Sequence, residues 1–192
     1  METIEAIQTR RSIRKVADEM PEKNLIMQIL DAARYAPNHF NTEPWRFTVL
    51  SGSGRDRLGR VLGRLNQEKM ESINQDERDA AMEKGLAKAR RAPIVIVVAA
   101  EPSNLAKAKK IEEIAATACA VQNMLLAAHA LGIGAMWRTG DPTYTAEMQK
   151  EFGESEKSLI MGFIYLGLPD SAKEAPVPAR KSVEEMTTWV NQ

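Results

Sequence analysis

The 192-residue sequence has few residues of the kinds that carry protein-borne catalysis or covalent cross-links. One cysteine, Cys119, excludes a disulfide within the chain and any multi-cysteine metal site. Two isolated histidines argue against a zinc site, and the absence of a GxSxG motif argues against a nucleophile-elbow hydrolase. Lys and Arg number 26, as do Asp and Glu, and this zero net charge argues against a generally cationic nucleic-acid-binding protein.

Long apolar runs are also missing from the sequence. No run approaches the roughly 20 residues that span a bilayer, and residues 1–15 contain no apolar signal-peptide core. Together with the single cysteine, this predicts a cytoplasmic protein without a membrane partner. Hydrophobic residues make up 44% of the chain and charged residues 27%, which is typical of a folded globular protein. We expect one domain over residues 1–192.

Hydrophobic patterning predicts that helices and strands alternate along the chain. Strands are expected at 45–50, 93–100, 133–138 and 159–166, and the second and fourth should be buried on both faces. Helices are expected at 2–10, 21–35, 55–91 (two exposed helices split near Asn74), 107–131, 141–152 and 182–191. The helix at 107–131 is apolar almost all round, so we expect it to be central, with Cys119 as inert packing. These elements predict an α+β or three-layer α/β/α architecture.

A basic cluster at residues 10–15 is a candidate phosphate site. In an extended segment, Arg10, Ser12 and Arg14 would share one face because alternate side chains point the same way. A guanidinium group can donate two parallel hydrogen bonds to two phosphate oxygens, and a hydroxyl adds a further donor. The alternative is a cationic cluster that is favoured simply by the negative end of the first helix.

Two further segments have the composition of ligand-binding loops. Residues 36–45 place Asn, His and Asn between two prolines, which suits hydrogen bonding to a planar heterocycle. The alternative is a helix–strand connection whose Asn side chains bond to their own backbone. Residues 132–140 contain glycines that allow close backbone approach to a ligand. This segment follows a helix and enters a strand, so it is not a dinucleotide fingerprint, and it could equally be a helix cap and tight turn.

Taken in order, these segments resemble the FMN-dependent nitroreductase family. RRSIR at 10–14 is similar to the family's phosphate motif, and APNHFNTEPWRF at 36–47 to its second motif. GIGAMWRTG, IMGFIYLGLP and PARKSVEEM resemble its C-terminal half. The resemblance covers nearly the whole chain. It implies a three-layer α/β/α nitroreductase-like fold with a mostly antiparallel central sheet and a long buried helix.

The resemblance also implies an activity. A homodimer would hold FMN at the subunit interface, take hydride from NADH or NADPH, and pass electrons to small acceptors such as nitroaromatics or quinones. Because FMN carries the redox chemistry, no catalytic side chain is required. Four residues are implied at the phosphate and ribityl group: Arg10, Arg11, Ser12 and Arg14. The others are implied around the ring or closing on the phosphate: Tyr35, His39 and Asn41 of the second subunit, Trp137, Arg138, Thr139, and Arg180.

Two other interpretations remain open at this point. The protein could bind flavin as a sensor or carrier without efficient turnover, in which case neither NADH nor NADPH would reduce the flavin. It could instead be a helix-rich scaffold that uses the 55–91 tract to bind a partner, in which case it would bind no flavin.

Overall fold

The computed structural model describes residues 1–70, 74–170 and 177–190, and it places four strands in one antiparallel sheet. The strands are β1 (Trp45–Ser51), β2 (Ile94–Ala100), β3 (Gly134–Arg138) and β4 (Leu159–Gly167). Their spatial order is β1-β2-β4-β3, and each neighbouring pair is antiparallel. All four predicted strands and the antiparallel character of the sheet are therefore confirmed.

Helices cover both faces of the sheet, which gives the predicted three layers. The helices are α1 (Thr3–Thr9), α2 (Lys23–Ala33), α3 (Arg55–Glu68), α4 (Gln75–Ala89), α5 (Lys110–Ala130) and α6 (Ala146–Phe152). Alternation along β2 turns Ile96 and Val98 toward α2 and α5, whereas Val95 and Val97 face α3, α4 and α6. Every residue of β2 is buried, as its continuous apolar run predicted.

The prediction of two exposed helices in the 55–91 tract is wrong for α3. Leu58, Val61, Leu62 and Leu65 form a stripe that packs against the sheet. This stripe has helical spacing, but the many Arg and Gln residues between its members conceal it in the sequence. The predicted break near Asn74 is confirmed, because the Asn74 side chain caps α4 by accepting a hydrogen bond from the Glu77 amide.

Helix α5 is long and central, as predicted, but it is buried on only one side. Ala120, Met124 and Ala128 are fully buried between the sheet and α2. On the opposite side Ala115 and Cys119 are exposed. The expectation that Cys119 is inert core packing is therefore wrong for the single chain, and α5 presents an open face of small residues.

Two predicted helices are shorter than expected. The helix predicted at 141–152 is divided into a 3₁₀ turn at Asp141–Tyr144 and α6, which begins where the Thr145 hydroxyl accepts from the Met148 amide. In the region predicted as a helix at 182–191, the described residues form only a 3₁₀ turn at Glu184–Met186, and residue 191 lies outside the described residues. In the described ranges, no helix is both long and apolar enough to cross a membrane.

Candidate functional site

The basic segment is fixed along the edge of the sheet beside β3. The Ile13 amide donates to the Ala135 carbonyl at 3.0 Å, and the Ala17 amide donates to the Leu168 carbonyl at 2.9 Å. Gly134 permits this approach, because a Cβ atom there would lie 3.1 Å from the Ile13 and Val16 side chains. Residues 10–16 are thus held as an additional extended segment outside β3.

Arg10, Arg11 and Arg180 form one positive region at the start of this segment. Burial and the neighbouring charges of Arg11 and Arg180 lower the pKa of Arg10. The Arg11 guanidinium donates to the Gln8 carbonyl at 2.7 Å and to the Arg10 carbonyl at 2.9 Å. Arg11 therefore also neutralises the C-terminal end of α1, so the helix-end interpretation holds for this residue. An anion bound here would relieve the repulsion among the three charges.

The other predicted members of the basic cluster behave differently from each other. Ser12 is exposed, and its hydroxyl has no hydrogen-bond partner among the described residues. Arg14 lines a cleft with Arg91 and Arg138 and is not among the charges that perturb Arg10. Ser12 is thus an exposed hydroxyl that follows Arg10 and Arg11 directly in the sequence. Arg14 instead lies with a second group of arginines.

His129, in the last turn of α5, lies beside the Arg10 cluster. Its Nε2 atom is 2.9 Å from the Thr9 hydroxyl. That hydroxyl donates its one proton to the Glu5 carbonyl at 2.7 Å, so Nε2 is the donor to Thr9. Burial first, and then the charges of Arg10 and Arg11, lower the pKa of His129. A neutral imidazole therefore adjoins the basic cluster.

Asn38 organises the proline-bracketed loop. Its side-chain oxygen accepts from the Thr42 amide at 2.9 Å, from the Thr42 hydroxyl at 3.2 Å and from the Glu43 amide at 3.3 Å. These bonds hold a backbone in which Phe40, Asn41 and Glu43 have φ values of 63°, 50° and 46°. The interpretation that an Asn bonds to its own backbone is therefore correct for Asn38, whereas Asn41 is exposed.

The exposed groups of this loop lie at the N-terminal end of α5. His39 Nδ1 is 3.1 Å from a carboxylate oxygen of Glu112, and its ring stacks on Phe40 with centroids 3.8 Å apart. Tyr35, just before the loop, is exposed and accepts a hydrogen bond from Arg34 at 3.0 Å. His39 thus presents a polar ring to the solvent at this end of α5, and Tyr35 is an exposed ring at the start of the loop.

The loop and the basic cluster lie at opposite ends of α5 in a single chain. His39 contacts Glu112 in the first turn of the helix, and Thr9 contacts His129 in the last. A helix of 21 residues, Lys110–Ala130, is about 30 Å long. One chain therefore does not bring these two predicted halves of the site together.

Trp137 and Arg138 project from opposite faces of β3. Trp137 packs with the residues that face α5, and its Nε1 donates to the Met161 carbonyl at 3.0 Å. The Arg138 guanidinium lies over the Tyr165 ring on the other face, 5.6 Å from its centroid. Thr139 is exposed immediately beyond the strand. These three predicted residues do not line one surface in the single chain.

Residues 7–168 match the sequence profile of the nitroreductase family. The chain belongs to this family. It is 34% identical over 169 residues to YdjA of Escherichia coli K12, a protein provisionally named an NAD(P)H nitroreductase, with 88% of this chain and 89% of YdjA covered. Among solved structures, a nitroreductase-like family protein from Bacillus cereus has a TM-score of 0.80 at 28% identity, covering 99% and 96% of the two chains.

A nitroreductase with bound FMN from Desulfitobacterium hafniense DCB-2 also shares the fold, with a TM-score of 0.68 at 26% identity and full coverage of both chains. As a member of the nitroreductase family, this chain belongs to a group of oxidoreductases. The residues that its sequence motifs identified occupy three places: the Arg10 cluster, the loop at the other end of α5, and the two faces of β3.

The sequence motifs did not identify several residues that lie beside the predicted site residues. His129 lies in the last turn of α5, but its contact with Thr9, 120 positions away, depends on tertiary packing that no short sequence pattern signals. Arg91 and Tyr165 had no such signal, because strand alternation and tertiary packing bring them beside Arg138. The sequence also does not show which asparagine bonds to the loop backbone, because only the folded loop distinguishes Asn38 from the exposed Asn41.

Proposed function

We propose that this chain binds FMN between two copies of itself and uses NADH or NADPH to reduce small acceptors such as nitroaromatics or quinones. The family membership supports an oxidoreductase, and the related nitroreductase from Desulfitobacterium hafniense has FMN bound. FMN itself supplies hydride acceptance and electron transfer when bound. The chain's own residues have the tasks of binding the phosphate, holding the ring and limiting access to it.

The phosphate end of FMN is assigned to Arg10, Arg11, Ser12 and Arg180. Burial, and then the charges of Arg11 and Arg180, lower the pKa of Arg10, and no carboxylate is among the groups that shift it. A phosphate monoester would convert this repulsion into charge-assisted hydrogen bonds. The exposed Ser12 hydroxyl would add a donor from the same segment.

The dimer is supported chiefly by the separation of the two halves of the site along α5. A two-fold axis that packs α5 against its own copy in antiparallel orientation would bring the first turn of one helix near the last turn of the other. His39 and Asn41 of one copy would then lie near Arg10 of the other. The small exposed residues Ala115 and Cys119 would allow the two helices to approach closely.

The C-terminal residues 177–190 also favour a second copy. The described part of this segment contains no helix or strand apart from one 3₁₀ turn, and its apolar side chains are uncovered. Trp189 is 81% exposed and Val190 is 88% exposed. Burial of such side chains is worth about 1.5–3 kcal/mol each, so a surface of the second copy is a favourable place for them.

The ring end of FMN is assigned to the loop of the second copy and to the end of β3. The Asn38 bonds and the left-handed residues fix the backbone direction of the loop, and the contact with Glu112 holds the His39 ring. Trp137 is likewise held by its bond to the Met161 carbonyl. Groups that are fixed before binding in this way can contact a planar ring without reordering.

The test is a titration of the purified full-length chain with FMN, followed by anaerobic addition of NADH or NADPH. We expect tight binding of about one FMN per chain and prompt loss of oxidised-flavin absorbance with at least one donor. If FMN binds but neither donor bleaches it, the protein is a flavin-binding sensor or carrier and the enzyme assignment is wrong. If FMN does not bind in excess, the whole proposal is contradicted.

A further inference from the structure

His129 is linked to the start of the basic segment by a short chain of hydrogen bonds. Its Nε2 atom donates to the Thr9 hydroxyl at 2.9 Å, and that hydroxyl donates to the Glu5 carbonyl at 2.7 Å. Thr9 is the last residue of α1, and Arg10 follows it directly. The Arg10 amide donates to the Ala6 carbonyl at 3.0 Å. The last turn of α5 therefore holds the point at which the basic segment leaves α1.

The charge of the His129 ring depends on its burial and on groups of the elements packed against it. Burial is the largest cause that lowers the pKa of His129, and the charges of Arg10 and Arg11 follow it. Glu5 of α1 acts in the opposite direction. The C-terminal end of α5 also favours a positive charge, because the helix dipole is negative there. Repulsion from the two arginines is thus the part of this balance that a bound anion can remove.

The hydrogen-bond pattern leaves one nitrogen of the ring free to take a proton. Because Nε2 already carries the hydrogen of the bond to Thr9, a second proton on His129 enters at Nδ1. Nδ1 has no hydrogen-bond partner in the part of the chain that the structure describes. Protonation therefore adds a positive charge beside Arg10 without breaking the bond that holds Thr9.

We propose that His129 is a positioning residue of the phosphate end, and that it takes up a proton on Nδ1 when a phosphate dianion binds to Arg10 and Arg11. The dianion neutralises the two guanidinium groups, so the imidazolium that forms is attracted to the anion and is no longer repelled by the arginines. The proton comes from the solvent, and the new N–H bond is the only bond that forms. The identity of the anion as the FMN phosphate rests on the proposed function, whereas the response to a phosphate dianion does not.

Linkage between the two equilibria gives the direction of the pH dependence. A ligand that binds more tightly to the protonated form of His129 raises the titration midpoint of that residue by the same factor. We expect FMN to bind about 3- to 10-fold more tightly when His129 is protonated, which corresponds to a rise of the midpoint by about 0.5–1 pH unit. The FMN phosphate itself gains a proton near about pH 6, and this weakens binding at low pH. The comparison therefore needs a variant without the imidazole.

Two variants separate the charge of His129 from its contact with Thr9. We expect the ratio of the FMN dissociation constants of His129→Gln and wild type to rise by a factor of roughly 2 to 10 between about pH 8 and about pH 5.5, because Gln can donate to Thr9 but takes up no proton. Thr9→Val should weaken FMN at both pH values, and Thr9→Ser should restore the affinity, because it keeps the hydroxyl. A ratio that stays constant with pH would overturn the proton uptake, and full affinity in Thr9→Val would overturn the positioning role.

The direct measurement is an NMR titration of the imidazole ring protons, since the chain has only two histidines and His129→Gln assigns their signals. The full-length protein is titrated alone, with FMN, with riboflavin and with inorganic phosphate, all at matched ionic strength. We expect FMN and inorganic phosphate to move the His129 midpoint to higher pH, and riboflavin, which has no phosphate, to leave it in place. A midpoint that stays fixed with FMN bound would overturn the inference and leave the proposed function standing. If FMN does not bind, the proposed function fails, and inorganic phosphate decides the inference: a raised midpoint supports it and an unchanged one overturns it.

Discussion

Replacement of Arg10 by alanine tests the phosphate end of the proposed FMN site. Arg10 is half-buried, and this burial, followed by the charges of the neighbouring Arg11 and Arg180, lowers its pKa. A charge-assisted hydrogen bond contributes about 1.5–3 kcal/mol, so its loss should weaken FMN about 10- to 150-fold. Because Arg10 also contributes to a repulsion that FMN relieves, we expect the larger part of this range at low salt and the smaller part near 0.15 M, where screening is stronger.

The assay is a fluorescence titration of FMN at fixed ionic strength, repeated at two salt concentrations. Arg60→Ala removes one positive charge from an exposed helix position and should leave the dissociation constant within about twofold, since surface charges contribute little. Circular dichroism of both variants controls for folding. An Arg10→Ala protein that is folded and binds FMN as the wild type does would refute the assignment of Arg10 to the phosphate.

Three further predictions concern stability and the loop. Gly85→Ala should cost about 1–3 kcal/mol in urea unfolding, because a Cβ atom there would overlap the α3 backbone at Gly63, whereas Gly54→Ala meets open space and should not destabilise. Asn38→Ala removes three hydrogen bonds and should cost about 1–3 kcal/mol and weaken FMN. The pKa of His129 in the folded protein lies below its unfolded value, so the free energy of unfolding should decrease as pH falls below about 6.5. Urea unfolding of His129→Gln should show a smaller decrease over the same pH range.

The sequence was sufficient to predict the strands, because their signals are local. The run from Ile94 to Ala100 is apolar throughout, and it forms a strand that is buried on both faces. The order of the strands and their register depend on tertiary packing, which a single sequence does not encode in any short pattern. The 182–191 region has helical composition, but its described residues form one 3₁₀ turn, and their apolar side chains are left uncovered by the part of the chain that the structure describes.

Part of the candidate site was predictable because it, too, consists of residues that are neighbours in the sequence. The cluster of Arg10, Arg11 and Ser12 is contiguous, so composition alone identifies it. Tyr165 and Arg91 are 74 positions apart and meet only because β4 pairs with β2 and directs Tyr165 to the α3–α4 face. Successive side chains of a strand point to opposite faces of the sheet, so the predicted strand at 133–138 already implies that Trp137 and Arg138 lie on different faces.

The central claim is that each FMN site combines residues of two chains, and a subunit-mixing experiment tests it most directly. Arg10→Ala carries a defect in the phosphate end, and a His39→Ala, Asn41→Ala double variant carries a defect in the loop. A heterodimer of these two chains, purified through two different tags, would contain one site with both defects and one site with neither. We predict that it binds one FMN per dimer with wild-type affinity, although each parent binds weakly. Weak binding at both sites of the heterodimer would contradict a site shared between chains.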